Sequence, residues 1–583
     1  MKIDVSRHED AFSYRLHPES DDPDEGRRDF SDSRMSMLLA HLEYRFELPG
    51  ALAPMHPDLH AGAIWLALRP FIGSRFELPF AVSEQFAQHM RERNGVALVR
   101  VDARIAPRRA PEKVVPALLF SGGMDSMAAS LVMPPDAHHL FLDRIPHLFP
   151  AGRASGLVDL ARQRAACEAV RSDGKPVHIT RDDHEWLFLP YPVWHSNMVL
   201  LAAIYLADSL GLGTIDSGEV LDALFFGGYH RGVSSWKMRS RPNKPAERGD
   251  EAPSDPTGGL LWILGLHRAD SIGGLSEVAT SIIVGKSHYR DKSFSCYYPS
   301  DGPFCMRCDK CFKKLLLRYI ADDEEVPSSL VDHFLSFPYL ARIFSRPYFD
   351  WHHVWFYLFQ KVRCGHWFVR EMQRQARQGP DLSMLEKWYP RAQIVGAYRD
   401  VVLENISKRV QLMSEDEAAA LESLELPPLI APEVVRKEHA ALGAALTTGT
   451  APAGDPDSPY SPEMKALWKF LRQKLILEPE PSLEDDLVAD ILLEPGRPRL
   501  SVELRGGAPG AAESTASPSV LLRLVHDPKG TERHFARLGS LALVIDASTP
   551  LDTEQRRLAV RKFVRRLGEV FTSAREANER MPA

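Results

Sequence analysis

Cysteine is scarce in this chain, with six residues among 583. So few thiols in so long a polypeptide exclude a disulfide scaffold, and a reducing cytoplasm is the simplest setting. Long apolar runs are missing too: no stretch approaches the ~18 uninterrupted apolar residues of a membrane span. The most aromatic segment, Tyr348 to Val369, is interrupted by Asp350, Lys361 and Arg363 and reads as a buried helix. Residues 1–30 are densely charged and carry no apolar signal region. Basic residues are not in excess, since 71 Lys and Arg face 78 Asp and Glu for a net charge of −7. That balance argues against nucleic acid as the main substrate and leaves room only for a local basic patch. No internal repeat is visible.

What is there is an ordinary globular composition, 44% apolar and 26% charged. The length exceeds what one core can organise, so about three or four domains are expected. Residues 1–112 mix strand-like pieces (Tyr44 to Leu48, Val96 to Val101) with helical ones (Leu59 to Leu68, Ser83 to Arg93) and read as an N-terminal α/β accessory domain. From 113 to 330 short apolar strands alternate with helical stretches, the pattern of a parallel sheet with crossover helices. Strands are expected at Ala117 to Phe120, His139 to Leu142, Val177 to Thr180 and Thr214 to Ser217, with an apolar helix over Asn197 to Leu210. Residues 331–445 look all-helical, and 446–462 are a Pro/Gly/Ser-rich linker. Residues 463–583 read as a small C-terminal α/β domain. Its helix lies near Glu463 to Leu475, its strands at Leu487 to Leu493, Arg499 to Leu504, Val520 to Val525 and Leu541 to Ile545, and a charged helix starts at Thr553.

Two segments carry chemistry. In the first, an apolar strand ending at Phe120 runs into Ser121-Gly122-Gly123, and Asp125-Ser126 then opens a helix of small residues. The glycines permit a tight turn that exposes successive N–H groups, the serines add hydroxyl donors, and the helix N-terminus adds a positive dipole end. Together these form an anion cradle. The lysine and longer spacing of a Walker A loop are absent, which disfavours γ-phosphate transfer. Ser-Gly-Gly-x-Asp-Ser after a strand resembles the PP-loop of ATP pyrophosphatases, in which ATP is split between its α and β phosphates.

The second segment is Cys296-x8-Cys305-x2-Cys308-x2-Cys311. Four thiolates can close a tetrahedral shell around Zn²⁺ with no open position, the mark of a structural site. The turn formers Pro299 to Pro303 let the long spacer fold back. An iron–sulfur cluster competes, but in ferredoxins the next cysteine precedes a proline, whereas Cys311 is followed by Phe312-Lys313-Lys314. Cys167 and Cys364 stand apart and read as idle thiols.

The two motifs, in this order and about 170 residues apart, resemble those of 7-cyano-7-deazaguanine synthase (QueC) and its relatives. The resemblance covers roughly residues 114–320. Phe294-Ser295-Cys296-Tyr297 is similar to the family's approach to its zinc knuckle, and Asn197 with the helix Leu200 to Tyr205 is similar to an Asn-containing helical segment. Gly218, Asp222, Gly228 and Tyr229 loosely match a loop that borders the substrate. The resemblance implies an adenine nucleotide α-hydrolase-like (PP-loop) α/β fold with a parallel sheet, crossover helices and a zinc knuckle. It also implies a carboxylate, 7-carboxy-7-deazaguanine or a related acid, that ATP and Mg²⁺ activate as an adenylate and ammonia captures to give amide or nitrile. The chain departs from the family at Asp143-Arg144-Ile145-Pro146-His147, where the family has Tyr-Gly-Gln-Arg-His. It departs again at Ser196, where the family has Arg, and in the basic segment holding Arg231, Lys237, Arg239, Arg241, Lys244 and Arg248.

On this reading Ser121, Gly122, Gly123 and Ser126 hold the phosphates of ATP. Asp125 faces Mg²⁺ or orients the loop, with a helix N-cap as its plain alternative. Asp125 and Ser126 are the catalytic candidates. Asp143 and Asp182 follow the second and third strands, at the edge where α/β sheets bind ligands, although solvated loop carboxylates are the default for each. Asn197, Gly218, Asp222, Gly228, Tyr229 and Arg231 are the substrate candidates, and His195 is more simply a structural histidine than a base.

The leading expectation is a cytoplasmic, QueC-like ATP-dependent ligase that joins a small deazapurine-like acid to an amine. A second is a conjugating enzyme that attaches such a group to an amine of a co-encoded partner protein, in keeping with QueC-like proteins of bacterial anti-phage operons. A third is a non-catalytic ATP-sensing scaffold, against which the intact loop argues. A tRNA-thiolating enzyme would need a catalytic cysteine, and the clustered four look committed to metal. No membrane partner is expected, and a homodimer is compatible with the sequence. Metal analysis of the purified protein is expected to give about one zinc per chain; iron with sulfide instead would overturn the cysteine assignment.

Overall fold

Eight strands from widely separated parts of the chain join in one mixed sheet. The computed structural model describes residues 1–23, 25–29, 34–39, 42–50, 54–144, 160–189, 196–225, 256–294, 304, 306, 308–335, 343–344, 347–348, 351–392, 394, 398–432 and four later strands. The sheet strands are β1 (Lys2–Arg7), β2 (Ala11–His17), β3 (Glu43–Glu47), β4 (Val115–Leu119), β5 (His138–Asp143), β6 (Val177–Asp182), β7 (Leu212–Asp216) and β8 (His267–Ala269). Their spatial order is β1-β2-β3-β6-β5-β4-β7-β8.

Five neighbours, β6-β5-β4-β7-β8, run parallel. The other three pair antiparallel, β3 on β6, β2 on β3 and β1 on β2. The expected purely parallel sheet is therefore corrected to a mixed one, and the residue pattern explains why. Strands β4, β5 and β7 are buried almost throughout, as parallel strands covered on both faces are. Strands β2 and β3 alternate instead: Tyr14, Leu16, Tyr44 and Phe46 point into the core, while Arg15, His17, Glu43 and Glu47 are more exposed. That two-faced pattern suits antiparallel pairing.

The boundary expected near residue 112 is crossed by the sheet itself and by the core beneath it. Helix α1 (Pro57–Leu68) packs on the helix Leu200–Leu210, and the Tyr14 hydroxyl bonds both Tyr205 Oη (2.6 Å) and His60 Nε2 (2.8 Å). Desolvation holds His60 far down, at about 3, so it sits there as a neutral ring.

The loop helix is α2 (Met124–Val132), followed by α3 (Leu160–Ser172) and α4 (Leu200–Leu210). Beyond the sheet come α5 (Glu277–Gly285), α6 (Asp309–Ala321), α7 (His352–Lys361), α8 (Trp367–Ala376) and α9 (Arg399–Ser407). Tyr348 to Val369 is thus not one helix. The chain leaves α7 at Val362, Val326 donates to the Arg363 carbonyl (2.8 Å), and His366 caps α8 through the Phe368 N–H (3.2 Å). The helical region is also not set apart from the loop. Trp388, Tyr398, Val402 and Ile406 share a core with Leu118, Met127, Ala128 and Ala129, and Asn405 Nδ2 donates to the Val132 carbonyl at the end of α2 (3.0 Å).

Strands Leu487–Ile491, Arg499–Leu504, Ser519–Val525 and Ala542–Asp546 form a separate four-stranded sheet, its first pair antiparallel and the rest parallel. The linker 446–462 and the helices expected near Glu463 and Thr553 lie outside the described residues. No described helix is long and apolar enough to cross a membrane.

Gly274 shows how tightly the helical region is applied. A Cβ there would sit 2.7 Å from Cε2 and Cζ2 of Trp388, while Tyr389 N–H donates to the Gly274 carbonyl (2.8 Å). Gly274→Ala is expected to destabilise the protein by about 1–3 kcal/mol through overpacking, read as a lower melting temperature. An unchanged melting temperature would mean that this contact is slack.

Candidate functional site

Strand β4 delivers the chain to the carboxyl edge of the sheet, where Phe120 still donates to the Leu140 carbonyl (2.9 Å) before Ser121 turns away. Gly122 takes φ +75°, and a Cβ there would lie 2.7 Å from both Ala166 Cβ and Phe294 Cε1. Backbone conformation and space thus both demand glycine. Gly123 is the N-cap of α2 and, having no side chain, leaves the first turn uncapped. Inside the turn Ser121 Oγ accepts from Gly123 N–H (3.3 Å) and lies 3.2 Å from Ser126 Oγ, which donates to the Gly123 carbonyl (3.0 Å). The result is a helix start without a side-chain cap and with two hydroxyls beside it, chemistry suited to an anion.

Asp125 is not the N-cap. It sits in the first turn of α2, where Thr280 Oγ1 of α5 donates to its Oδ1 (2.7 Å). One turn away on α5, buried Glu277 lies between the ammonium groups of Lys313 (3.4 Å) and Lys314 (3.0 Å) of α6. Burial alone would raise the Glu277 pKa, but the two lysines pull it well below the usual carboxylate range. Lys314 also donates to Ser281 (2.9 Å), and Lys313 stands over the Trp351 ring at 4.6 Å. Helix α5 therefore links the loop to α6, the helix that begins at the cysteine segment.

Of the four cysteines, Cys308 and Cys311 are described and Cys296 and Cys305 are not. Cys308 is the N-cap of α6, and its buried Sγ accepts from the Cys311 N–H (3.4 Å). Upstream, Phe294 pairs with Gly123 and donates to the Gly122 carbonyl (3.3 Å), so the chain enters the cysteine segment directly from the loop. Among the described residues no group of three or more potential metal ligands occurs.

The other expected residues divide. Asp143 ends β5 at the same edge; Arg164 holds its Oδ2 (2.6 Å), its buried Oδ1 has no hydrogen-bond partner, and burial raises its pKa against the pull of Arg164. Beside it a narrow cleft is lined by Phe120, Ser121, Leu142, Arg144, Gln163 and Val199. Gln163, itself buried, has an unpartnered Oε1. Asp182 ends β6 at the same edge, next to Arg181, which pairs with Asp143, but its carboxylate is taken by His184, whose backbone N–H and Nδ1 both meet it. Asp222 is also internal: it accepts the Glu277 N–H (2.5 Å) and meets His353 Nε2, which makes it a bracket between α5 and α7. The backbone of Asn197 lies in a short 3-10 turn, Ser196–Val199, leading into α4. Gly218, with φ +62°, brings its loop to the start of α2; a Cβ there would be 3.8 Å from Ser126 Cα. His195, Gly228, Tyr229, Arg231 and the basic segment lie outside the described residues.

A cluster that sequence reasoning missed closes the same edge. Asp216 ends β7 fully buried and accepts the N–H groups of Gly218 (2.7 Å) and Ser271 (2.6 Å). Asp270 follows β8, and its buried Oδ1 makes no hydrogen bond but is ion-paired with Arg268 Nε at 3.8 Å. Burial pushes Asp216 up to about 6 and Asp270 to about 7, the latter against the pull of Arg268. Strand β8 is only three residues long, too short for its periodicity to announce it.

These features define an α/β protein whose glycine turn, set between a central strand and a helix, opens at the carboxyl edge of a mixed sheet. Residues 256–425 match the model of a family of unknown function (DUF6395), a span of less than a third of the chain that holds Asp270, Thr280, Cys308, Cys311 and Tyr398. No curated protein matches the chain.

Asp270 also gives a stability test. Its folded pKa of about 7 stands above the ordinary 3.8, so ionisation penalises the folded state increasingly as pH rises from about 4 through 7. Asp270→Asn is expected to be the more stable form at pH 8, by roughly 1–3 kcal/mol, with the difference fading towards pH 4 in urea unfolding. A less stable variant at pH 8 would contradict the burial penalty.

Proposed function

We propose that this protein is an ATP-dependent ligase that activates a carboxylate as an acyl-adenylate, releasing pyrophosphate, and passes the acyl group to an amine. The observation that carries this reading is the uncapped start of α2, with its two serines and with Asp125 held by Thr280, beside the cleft of Ser121, Arg144 and Gln163. In this reading the loop N–H groups and the hydroxyls of Ser121 and Ser126 bind the phosphates of ATP. Preorganised donors of this kind stabilise charge as it develops on the departing group. Asp125 would hold Mg²⁺, which offsets the charge of the leaving pyrophosphate. Thr280 holds one oxygen of the Asp125 carboxylate.

Cys296, Cys305, Cys308 and Cys311 would hold a structural Zn²⁺, and the Cys308 Sγ geometry fits that role. The acid is drawn from the family resemblance, 7-carboxy-7-deazaguanine or a relative. Support for a nucleotide-cleaving enzyme over a passive sensor comes from the loop's intact chemistry and from the acid groups gathered around it.

Incubation with ATP, Mg²⁺, ammonium and 7-carboxy-7-deazaguanine is expected to yield AMP and pyrophosphate in equal amounts. Asp125→Asn should slow AMP formation by roughly 100-fold, and Thr280→Val by roughly tenfold with the melting temperature nearly kept. No AMP from the unaltered protein would sink the ligase reading. Full activity in Asp125→Asn would sink the loop assignment alone.

A further inference from the structure

The glycine loop is gripped from both ends of the cysteine segment. On the N-terminal side, Phe294 donates its N–H to the Gly122 carbonyl (3.3 Å) and pairs with Gly123. Its ring packs so closely on Gly122 that a Cβ there would lie 2.7 Å from Phe294 Cε1, and Ser293 Oγ reaches the Met124 sulfur (3.5 Å). Cys296 follows Phe294 by two residues. On the C-terminal side, Cys308 and Cys311 are the N-cap and first turn of α6, both buried and three residues apart, which sets them on one side of the helix. Lys313 and Lys314 come next, each 2% exposed. They hold Glu277 of α5 at 3.4 and 3.0 Å, and Lys314 also donates to Ser281 (2.9 Å). Between Glu277 and Ser281, Thr280 donates to Asp125 in the first turn of α2 (2.7 Å). Neither lysine can swing into water without leaving a buried carboxylate short of charge, so this second grip is stiff.

We propose that Phe294, Lys313 and Lys314 are positioning residues through which the metal of the cysteine site sets the glycine loop. The proposal rests on the zinc assignment above and not on the ligase reading. The cysteines lie just inside both grips, Cys296 two residues after Phe294 and Cys311 two residues before Lys313. Closing a metal shell on them ties the Phe294 grip to the lysine grip. Phe294 then keeps Gly122 in its left-handed turn (φ +75°), and the lysines keep α5, with Thr280, against Asp125. With the shell open, the two grips move independently and the loop loses order. Such linkage is reciprocal: an anion that orders the loop tightens the metal by the same factor as the metal tightens the anion. The cysteine site thus does more than close its own segment.

Hydrogen exchange of the full chain tests this without ATP. Exchange of a peptide covering residues 118–130 is followed in the purified protein, after metal removal with a chelator under reducing conditions, and after Zn²⁺ is restored. The loop amides should exchange about tenfold faster without metal and recover with it, while β1 and β2 keep their rates. A loop whose exchange ignores the metal overturns the proposal, and so does a purified protein that holds no metal. If metal removal loosens β1 and β2 as well, Phe294→Ala and Lys314→Met decide the matter with zinc still bound. Each should speed exchange in the loop and leave β1 and β2 alone, at an unchanged zinc content. Loop exchange as slow as in the unaltered protein in both variants overturns the positioning role. Equilibrium dialysis with Mg-ATP then reads the linkage, and affinity should fall about tenfold in the metal-free protein. A metal-ordered loop in a protein that makes no AMP leaves this proposal standing and sinks the ligase reading. AMP formation by a protein whose loop ignores the metal does the reverse.

Discussion

Glu277 is a carboxylate removed from water and held by two ammonium groups, and the surroundings of the loop are built on that arrangement. Removing one member of such a buried group costs about 3–5 kcal/mol, because the charge left behind is uncompensated. The same helix turn does three further jobs. The Glu277 N–H is received by Asp222, which meets His353 of the helical region; Thr280 fixes Asp125; Ser281 receives Lys314. Loop, cysteine helix and helical region are therefore not three neighbours in loose contact. They share one set of buried charges, and a shift in any of them is felt at Asp125.

The edge that carries the chemistry has two sides. Around β4 and β5 lie Ser121, Arg144, Gln163 and Asp143, a mixed set of which all but Ser121 are buried. Around β7 and β8 lie Asp216 and Asp270, carboxyls whose burial resists ionisation. The helix start of α2 stands between them.

Much of this was legible in the residues. Strands β4 to β7 stand within two or three residues of where their apolar runs place them, and Gly123 to Ser126 opens a helix as its small residues imply. What escaped detection has physical reasons. Thr280 reaches Asp125 across 155 residues of chain, and a threonine in an apolar helix announces nothing about such a partner. Asp222 was a substrate candidate through its loose match to a family loop; only tertiary packing brings His353 to it. The mixed sheet was missed because β1 and β2 were not expected and Tyr44 to Leu48 was assigned to an N-terminal domain, and no local signal says that such a strand will pair with a distant one. Asp216, inside an expected strand, and Asp270 were not singled out, since burial is a property of the fold and not of the local composition.

The pairing of β3 with β6 bears on how the chain is made. Strand β3 ends at Glu47, and its partner on β6 is Arg181, about 130 residues later. At a synthesis rate of 5–20 residues per second, β3 leaves the ribosome roughly 7–27 s before the strand that covers it. For that interval the meander of β1, β2 and β3 presents an open edge bearing Tyr44 and Phe46, the kind of edge that pairs with other chains. Strands β4 and β5 form in the meantime but cannot shield it, because β6 lies between β5 and β3 in the finished sheet. Yield of native protein should therefore be set less by final stability than by how long nascent chains wait with that edge uncovered, which makes slow synthesis and crowded ribosomes the hazards for this protein.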